Sequence, residues 1–579
     1  MPSNAVAAPA RLRRFAASLG GRLSWHAAPA EKALVAALLA FALIFTLGNY
    51  EFFAAPPPDF LSFRAVAASF ARLEFPDSFK RAPAYPAAMA LVRLVSPGPD
   101  PFLTAAGAVN ALAALGVLAL TYYWTKLRLG RWAPLAAALV GTYSQFPLLA
   151  TVPLCEMLYL LLILAAVASA GRGSGWAYVW AGAAAATRYE ALALVALLAL
   201  FDAPRWRRRP RLILYAVLAA VPAVGWFLIG YARTGSLNPY VDEIQALSAS
   251  GWSFPRALVT SFYPPAGPAQ WAVAAAFAAV AAVGCARLAV RGGAGERVYL
   301  GFAVVYTVIH VVFPFSFRRF VFPVWPLLAF GFLEGGGFLL AAAGRLRLGR
   351  WWYAVAAVLG GAFAAAFGWR LAAWRAAPPD ALAWAGLAAL AALVACVAWG
   401  AAGARLEPRR WALAAAALAA VGLFAAGNSR VYAAEREAVK HYREALKEAA
   451  RWLKGAAAPD DVVVTADPAL FDYYFGPAGP RARSPASFAT DDFALFAARA
   501  RREGVTYACY DSVTGRNPEG YFAAEAGAGV LEPLGAGRGI GRFRFIARVE
   551  TPGEYVYIYR LAAEPPGWKP PGWDKEREE

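Results

Sequence analysis

Apolar runs of roughly 17–25 residues recur along the chain with only short polar strips between them, the length a helix needs to cross a hydrocarbon layer of about 30 Å. The first, "ALVAALLAFALIFTLGNYEFF", begins at Ala33, and the next, "PFLTAAGAVNALAALGVLALTYYW", runs from Pro101 to Trp124. Lipid offers no partner to a backbone N–H or C=O, so runs of this kind fold as helices whose hydrogen bonds close internally. Composition agrees: 60% of the 579 residues are hydrophobic, only 16% are charged, and mean hydropathy is +0.46. The sequence therefore predicts an α-helical polytopic membrane protein rather than a soluble globule.

Further runs lie near residues 132–148, 153–170, 212–232, 271–290, 298–316, 320–341, 352–372, 380–401 and 411–427. The stretch "WAYVWAGAAAATRYEALALVALLALF" is too long for one span and is interrupted by Arg188 and Glu190, so it divides into two short spans. About thirteen spans result. The basic residues collect in "TKLRLGRW", "DAPRWRRRPR", "RLAVRGGAGER", "GRLRLGR" and "ARLEPRR", all on one side of this topology. That asymmetry accounts for a net charge of +19 as cytoplasmic loops, without invoking nucleic acid. It places the basic N-terminus, residues 1–31, in the cytoplasm and the first loop, 51–100, outside. The first run lacks a small-residue cleavage site and reads as a retained span. Four cysteines, three of them in or beside apolar runs, supply neither a disulfide framework nor a CxxC zinc pattern.

The membrane part is expected to cover 32–427, after which composition changes. "EREAVKHYREALKEAARWLKG" carries charges at i and i+4 spacing and predicts one amphipathic helix. "DVVVTAD" and "GVTYACYD" read as buried strands, "DDFALFAARARREG" as a helix between them, and "FRFIARVETPGEYVYIYRL" as a hairpin turning at Pro552 and Gly553. Residues 428–562 thus form a small extracytoplasmic α/β domain, and 563–579 a disordered tail. Asp467 and Asp472 read as turn and cap residues.

Ionisable side chains at the ends of spans are costly unless paired, hydrated or functional, and here they gather on one face. In the first loop Phe60, Phe63, Ala67, Phe70 and Leu73 share a helical face, so the segment after "PPPD" should lie along the membrane interface. Asp59 is placed to cap that helix. "DSFKRAPAYP" adds Lys80, Arg81 and Tyr85. Glu156 follows Pro153, Arg188 and Glu190 stand two apart, and His310 lies in the outer half of its span. Arg318 and Arg319 break the charge asymmetry by falling outside, which favours a phosphate partner for their forked donors.

Together these segments resemble the C-type membrane glycosyltransferases (GT-C fold), in particular the dolichyl-phosphate-mannose-protein mannosyltransferase and aminoarabinose-transferase group. The resemblance rests on "PPPDFLSFRAVAASF" followed by "KRAPAYP", on "VPLCEMLYLLLILAA", "WAGAAAATRYEALAL" and "RRFVFPVWPLLAFG", and on "PDDVVVTADPALFDYYFG" at the start of the outer domain. The frequent Asp-Glu pair of that group is Asp59-Phe60 here, Phe320 replaces a tyrosine, and Glu156 stands where many relatives have aspartate. The Trp-Trp-Asp-Tyr-Gly motif of the oligosaccharyltransferase branch is absent.

The resemblance implies a multi-pass enzyme of the cell membrane that transfers a hexosyl or pentosyl group from a polyprenyl-phosphate donor to an acceptor hydroxyl on the outer side, with inversion. Asp59 would be the general base, and Arg318, Arg319, Lys80, Arg81 and Arg188 would hold the donor phosphate. Glu156 would either orient the acceptor or join Asp59 and His310 around a divalent ion; Glu190, Tyr85 and His310 would otherwise contact acceptor or serve structure. A transporter or flippase of an anionic or lipid-linked substrate is the alternative, since many spans with buried charge suit a pathway too.

Overall fold

The computed structural model describes residues 28–49, 53–96, 98, 100–235, 253–263, 267–311, 318–343, 430–488, 499–500, 502–511, 543–551 and 554–561, with isolated positions at 394, 420, 424, 427 and 428. The spans expected near 352–372, 380–401 and 411–427, the helix "DDFALFAARARREG" for most of its length, and the tail lie outside the described residues.

Helix α1 is Pro29–Asn49, and two short helices follow it, α2 over Pro58–Ala71 and α3 over Ala84–Val92. Helix α4, Pro101–Leu129, starts where Asp100 Oδ1 accepts the N–H groups of Phe102 and Leu103 at 3.0 and 3.3 Å, with Pro101 preset for the first turn. It stops at Gly130, whose φ of +54° a β-carbon would oppose. The chain reverses there: in α5, Ala133–Gly141, a β-carbon added at Gly141 would meet the side chain of Leu118 at 3.3 Å. Helix α6, Gln145–Thr151, and α7, Glu156–Gly171, then meet at a bend of 115°.

Helix α8, Trp176–Ala185, and α9, Leu192–Asp202, divide the stretch interrupted by Arg188 and Glu190 into two helices as expected, joined by a 3₁₀ turn at Tyr189–Ala191. Helices α10 (Arg211–Thr234), α11 (Ser253–Phe262), α12 (Pro268–Arg291), α13 (Ala294–Val311) and α14 (Trp325–Ala343) complete the described bundle. Among the described residues, four helical stretches are long and apolar enough to cross a membrane, and a fifth if the bent α6–α7 pair counts as one. The chain is a multi-pass membrane protein.

Lipid gives packed helices no hydrophobic reason to associate, so close approach through small residues decides which pairs meet. A β-carbon at Gly182 in α8 would sit 2.6 Å from the carbonyl oxygen of Ala219 in α10, and one at Gly295 would lie 2.6 Å from Val167 O in α7. Helices α12 and α14 touch most closely, because a β-carbon at Gly284 would overlap Gly331 O and one at Gly335 would overlap Val280 O. Gly337, on the same helix, faces open space. Gly284→Ala is therefore expected to destabilise the protein by about 1–3 kcal/mol through overpacking. Gly337→Ala should instead stabilise by up to about 1 kcal/mol through helix propensity. Unfolding midpoints in detergent check both signs.

Beyond the bundle a helical stretch over 430–441 leads to α15, Glu444–Ala456. The single amphipathic helix expected here is broken at Tyr442 and Arg443. Arg443 adopts a left-handed φ of +66°, its buried guanidinium donates to Pro56 O at 3.0 Å, and it pairs with Asp467. The carboxylate of Glu554 takes the N–H groups of Arg443 and Ala445 at 2.8 and 3.2 Å, serving the new helix start as a cap supplied from a distant strand.

The sheet runs in the order β2-β1-β3-β5-β4, where β1 is Val462–Val464, β2 Arg481–Arg483, β3 Val505–Asp511, β4 Phe543–Thr551 and β5 Glu554–Leu561. Strands β2, β1 and β3 are parallel, β5 runs antiparallel to β3 and β4, and Cys509 faces Ile558 across the ladder. Helix α16, Pro468–Phe475, crosses from β1 to β2 and is capped by Asp467, while Asp472 accepts the N–H of Ala482 at 2.8 Å, as the turn-and-cap reading expected. The crossover helix and β2 themselves were not anticipated. Arg64 of α2 joins this domain to the membrane part, pairing with Asp100 at 3.2 Å while its guanidinium lies 5.1 Å from the Tyr473 ring centroid.

Candidate active site

Asp59 does not cap α2 as its place in the sequence suggests. Pro57 occupies the cap position with no side-chain bond, Pro58 opens the helix, and Asp59 falls in its first turn. Its backbone oxygen accepts from Ser62 Oγ at 2.9 Å, which leaves the carboxylate to point elsewhere. Asp59 Oδ1 receives Arg81 Nη2 at 2.5 Å and Oδ2 receives Arg319 Nη1 at 3.1 Å. Of the apolar face read from α2, Phe60, Phe63 and Ala67 are buried, Phe70 is half-buried, and Leu73 has left the helix with a φ of +59° and full exposure.

Arg81 is held from several sides. Its Nε donates to Ser62 Oγ at 2.7 Å, its carbonyl accepts from Trp226 Nε1 at 3.0 Å, and its guanidinium lies 4.9 Å from the Phe63 ring centroid. Just beyond it, Ala84 N donates to Ala186 O at 2.8 Å and ties the loop to the end of α8. There the backbone opens, and Arg188 is extended at φ −148° and ψ 129°. Its Nη1 donates to Glu156 Oε1 at 3.1 Å and its Nη2 to Glu190 Oε1 at 2.8 Å. Arg319 sits in a 3₁₀ turn before α14, and its Nε is 3.9 Å from the same Glu156 Oε1.

Six charges thus alternate in one continuous chain, Arg81–Asp59–Arg319–Glu156–Arg188–Glu190, drawn from five separate segments. Three guanidiniums against three carboxylates leave it formally neutral. Burial alone would raise the Asp59 carboxyl, but the charges and hydrogen bonds of Arg81 and Arg319 outweigh that and lower it from 3.8 to about 2. A group so depressed adds stability that is complete above its unfolded value and is lost only as pH falls towards 2.

The chain gathers six of the ten residues singled out in the sequence and leaves four aside. Arg318 turns to Glu435, at 4.0 Å, which also accepts from Gln145 Nε2. Tyr85 is fully buried and donates to Asn110 Oδ1 at 3.3 Å, a structural contact next to the site. His310 is buried between Tyr306, Phe254 and Phe320, its Nδ1 2.8 Å from Tyr306 O. Lys80 is half-buried beside Arg81 in the loop. Among the described residues no three His, Cys, Asp or Glu side chains cluster as metal ligands. A divalent ion at Asp59 would have to displace both guanidiniums, so this arrangement does not fit the divalent-ion reading of Asp59, Glu156 and His310.

Two residues that sequence reasoning missed border the chain. Glu156 Oε2 and the hydroxyls of Tyr159 and Tyr306 are buried without hydrogen-bond partners among the described residues. The Tyr159 ring lies 5.7 Å from the Arg188 guanidinium. Tyr159 was legible, since it follows Glu156 at i+3 and so shares its face of α7. Tyr306 carried no comparable signal.

No family model matches the chain, and no curated protein does either. Solved structures do. A crystal structure of ArnT from Cupriavidus metallidurans bound to undecaprenyl phosphate superposes with a TM-score of 0.53 at 16% identity, covering 91% of this chain and 98% of that one. The apo crystal structure of the same protein gives 0.55 at 16% identity, covering 92% and 99%. The likeness runs along nearly the whole length of both chains, and the expected fold class holds: this protein has the GT-C fold of ArnT.

Proposed function

We propose that the protein is a membrane glycosyltransferase that takes a sugar from a polyprenyl-phosphate donor and passes it, with inversion, to an acceptor hydroxyl on the outer face of the membrane. The observation that carries this reading is Asp59, a carboxylate in the first turn of α2 clasped by two guanidiniums, Arg81 from the following loop and Arg319 from the 3₁₀ turn before α14. Guanidiniums gathered at the ends of apolar helices suit a lipid-anchored phosphate, whose charge would otherwise be stranded near hydrocarbon. The likeness to a protein crystallised with undecaprenyl phosphate supports the donor class.

In this mechanism the acceptor oxygen bonds to the anomeric carbon as the bond from that carbon to the phosphate oxygen breaks. The electron pair leaves with polyprenyl phosphate, and the acceptor proton passes to Asp59. Arg319 and Arg81 stabilise the charge that grows on the leaving phosphate. Glu156 and the hydroxyls of Tyr159 and Tyr306 offer buried polar atoms to hydroxyl groups of the substrates, which would remove a penalty of about 1–3 kcal/mol for each group left unsatisfied.

A carboxylate at about 2 is a poor base, so the resting clasp must loosen before transfer. Donor phosphate does this by competing for the guanidiniums. The pKa of Asp59 should then rise towards the ordinary aspartate value of about 4 when donor is bound. Steady-state pH profiles are expected to show an acid limb in kcat near that value and none from this group in kcat/KM. Coincident limbs would remove the competition.

The purified chain, given labelled polyprenyl-phosphate sugar, should release polyprenyl phosphate and pass label to the acceptor. Movement of intact donor across a vesicle wall, with no glycosidic bond broken, would favour the flippase reading instead.

A further inference from the structure

Four helices that end beside the ion chain lead to a second polar feature at their opposite ends. Helix α7 leads from Glu156 to Ala170, α8 from Ala177 towards Arg188, α9 from beside Glu190 to Asp202, and α13 from Arg297 to His310. Where they end lies a cavity of about 270 Å³ whose polar lining includes Ser174, Asp202, Arg205 and Arg297. With 16 residues, α7 separates it from Glu156 by roughly 24 Å, most of a hydrocarbon layer.

Its internal contacts leave capacity for an anion. Arg205 Nη1 donates to Asp202 Oδ1 at 2.9 Å, Tyr178 Oη donates to Asp202 Oδ2 at 3.1 Å, and Arg297 Nε donates to Gly292 O at 2.9 Å. Both oxygens of Asp202 are thereby engaged, while among the described residues each guanidinium spends one of its five donors. The two guanidiniums exceed the one carboxylate by a positive charge, and Arg207, Arg208 and Arg209 stand exposed alongside. Phe201 lines the cavity and is 40% exposed, which gives an acyl chain an apolar approach from the side.

We propose that this cavity is a headgroup site for an anionic phospholipid, with the phosphodiester held by Arg205 and Arg297 and the chains lying along Phe201. A basic pocket between spans, on the face that carries the basic connections, suits such a headgroup. The site is separate from donor chemistry at Asp59 and does not rest on it.

The test uses the full chain in phosphatidylcholine nanodiscs with or without phosphatidylglycerol, read by the thermal unfolding midpoint. Phosphatidylglycerol should raise the midpoint by several degrees, and R205Q/R297Q should lose at least half of that rise. Arg208→Gln, outside the cavity, should keep it. Ser174→Trp, which fills the cavity without removing charge, should lose it too and covers the case in which the double variant fails to fold. No rise in the parent protein, an equal loss in R208Q, or a full rise in S174W would each overturn the proposal. An equal rise from inorganic phosphate in phosphatidylcholine discs would assign the site to free phosphate and overturn the lipid.

Discussion

Asp59→Asn is expected to lower kcat by about 10²–10⁴ while leaving the KM for donor unchanged or reduced. The amide keeps the shape of the carboxylate but cannot take the acceptor proton. It also stops competing for Arg81 and Arg319, whose guanidiniums now meet the carboxylate at 2.5 and 3.1 Å and would be released to the donor phosphate. A residue that only held the fold would behave differently, losing midpoint and protein yield before kcat. Measuring kcat, KM and the unfolding midpoint on the same preparation separates the two. Full turnover by the variant would dismiss Asp59 as the base.

Arg188→Met should be the most damaging change to stability, at about 3–5 kcal/mol, because it takes the nearest charge partner from two carboxylates that are largely out of water. Glu156 has 4% of its side chain exposed and Glu190 22%, and among the described residues Arg188 pairs with both, so its loss leaves Glu156 only the more distant Arg319 at 3.9 Å. Removing the charge of all three should restore most of the loss, so Arg188→Met with Glu156→Gln and Glu190→Gln is expected to unfold later than the single variant. Acid should also help the single variant relative to the parent. Unpaired carboxylates carry raised pKa values, so protonation relieves them as pH falls through the weakly acid range. Chemical denaturation in detergent at two pH values checks both expectations. Arg188→Lys should rescue poorly, since one ammonium cannot reproduce a fork that serves two carboxylates at once.

The ion chain shows which information a sequence holds about a site. Arg188 and Glu190 stand two residues apart, so their pairing was readable locally, whereas the bond from Arg188 to Glu156 spans 32 positions and depends on how α7 and α8 pack. Span order and charge asymmetry placed both residues on one face but could not bring them into contact. Arg318 and Arg319 were equivalent candidates in the sequence. A 3₁₀ turn rotates successive residues by about 120°, which sends one to Asp59 and the other to Glu435. Glu435 itself was hidden among charges spaced for an exposed helix. The break at Arg443 was hidden for the same reason, since periodic charge cannot show that one arginine will leave the helix and bury. The sheet fared better where strands were long and apolar, as in β3 and β5, than where three residues of β2 carry two arginines.

The hold that Arg443 and Lys440 take on the chain just ahead of Asp59 bears on how freely the C-terminal sheet region can be exchanged. Arg443 grips the carbonyl of Pro56, and the N–H of Ala54 donates to the carbonyl of Lys440 at 2.8 Å. Both contacts read main chain in the loop, so the side chains at these two positions can drift without loosening the grip. A domain grafted from a distant homologue should therefore keep this part of the joint if it brings an arginine at this one bend, whatever side chains stand at 54 and 56.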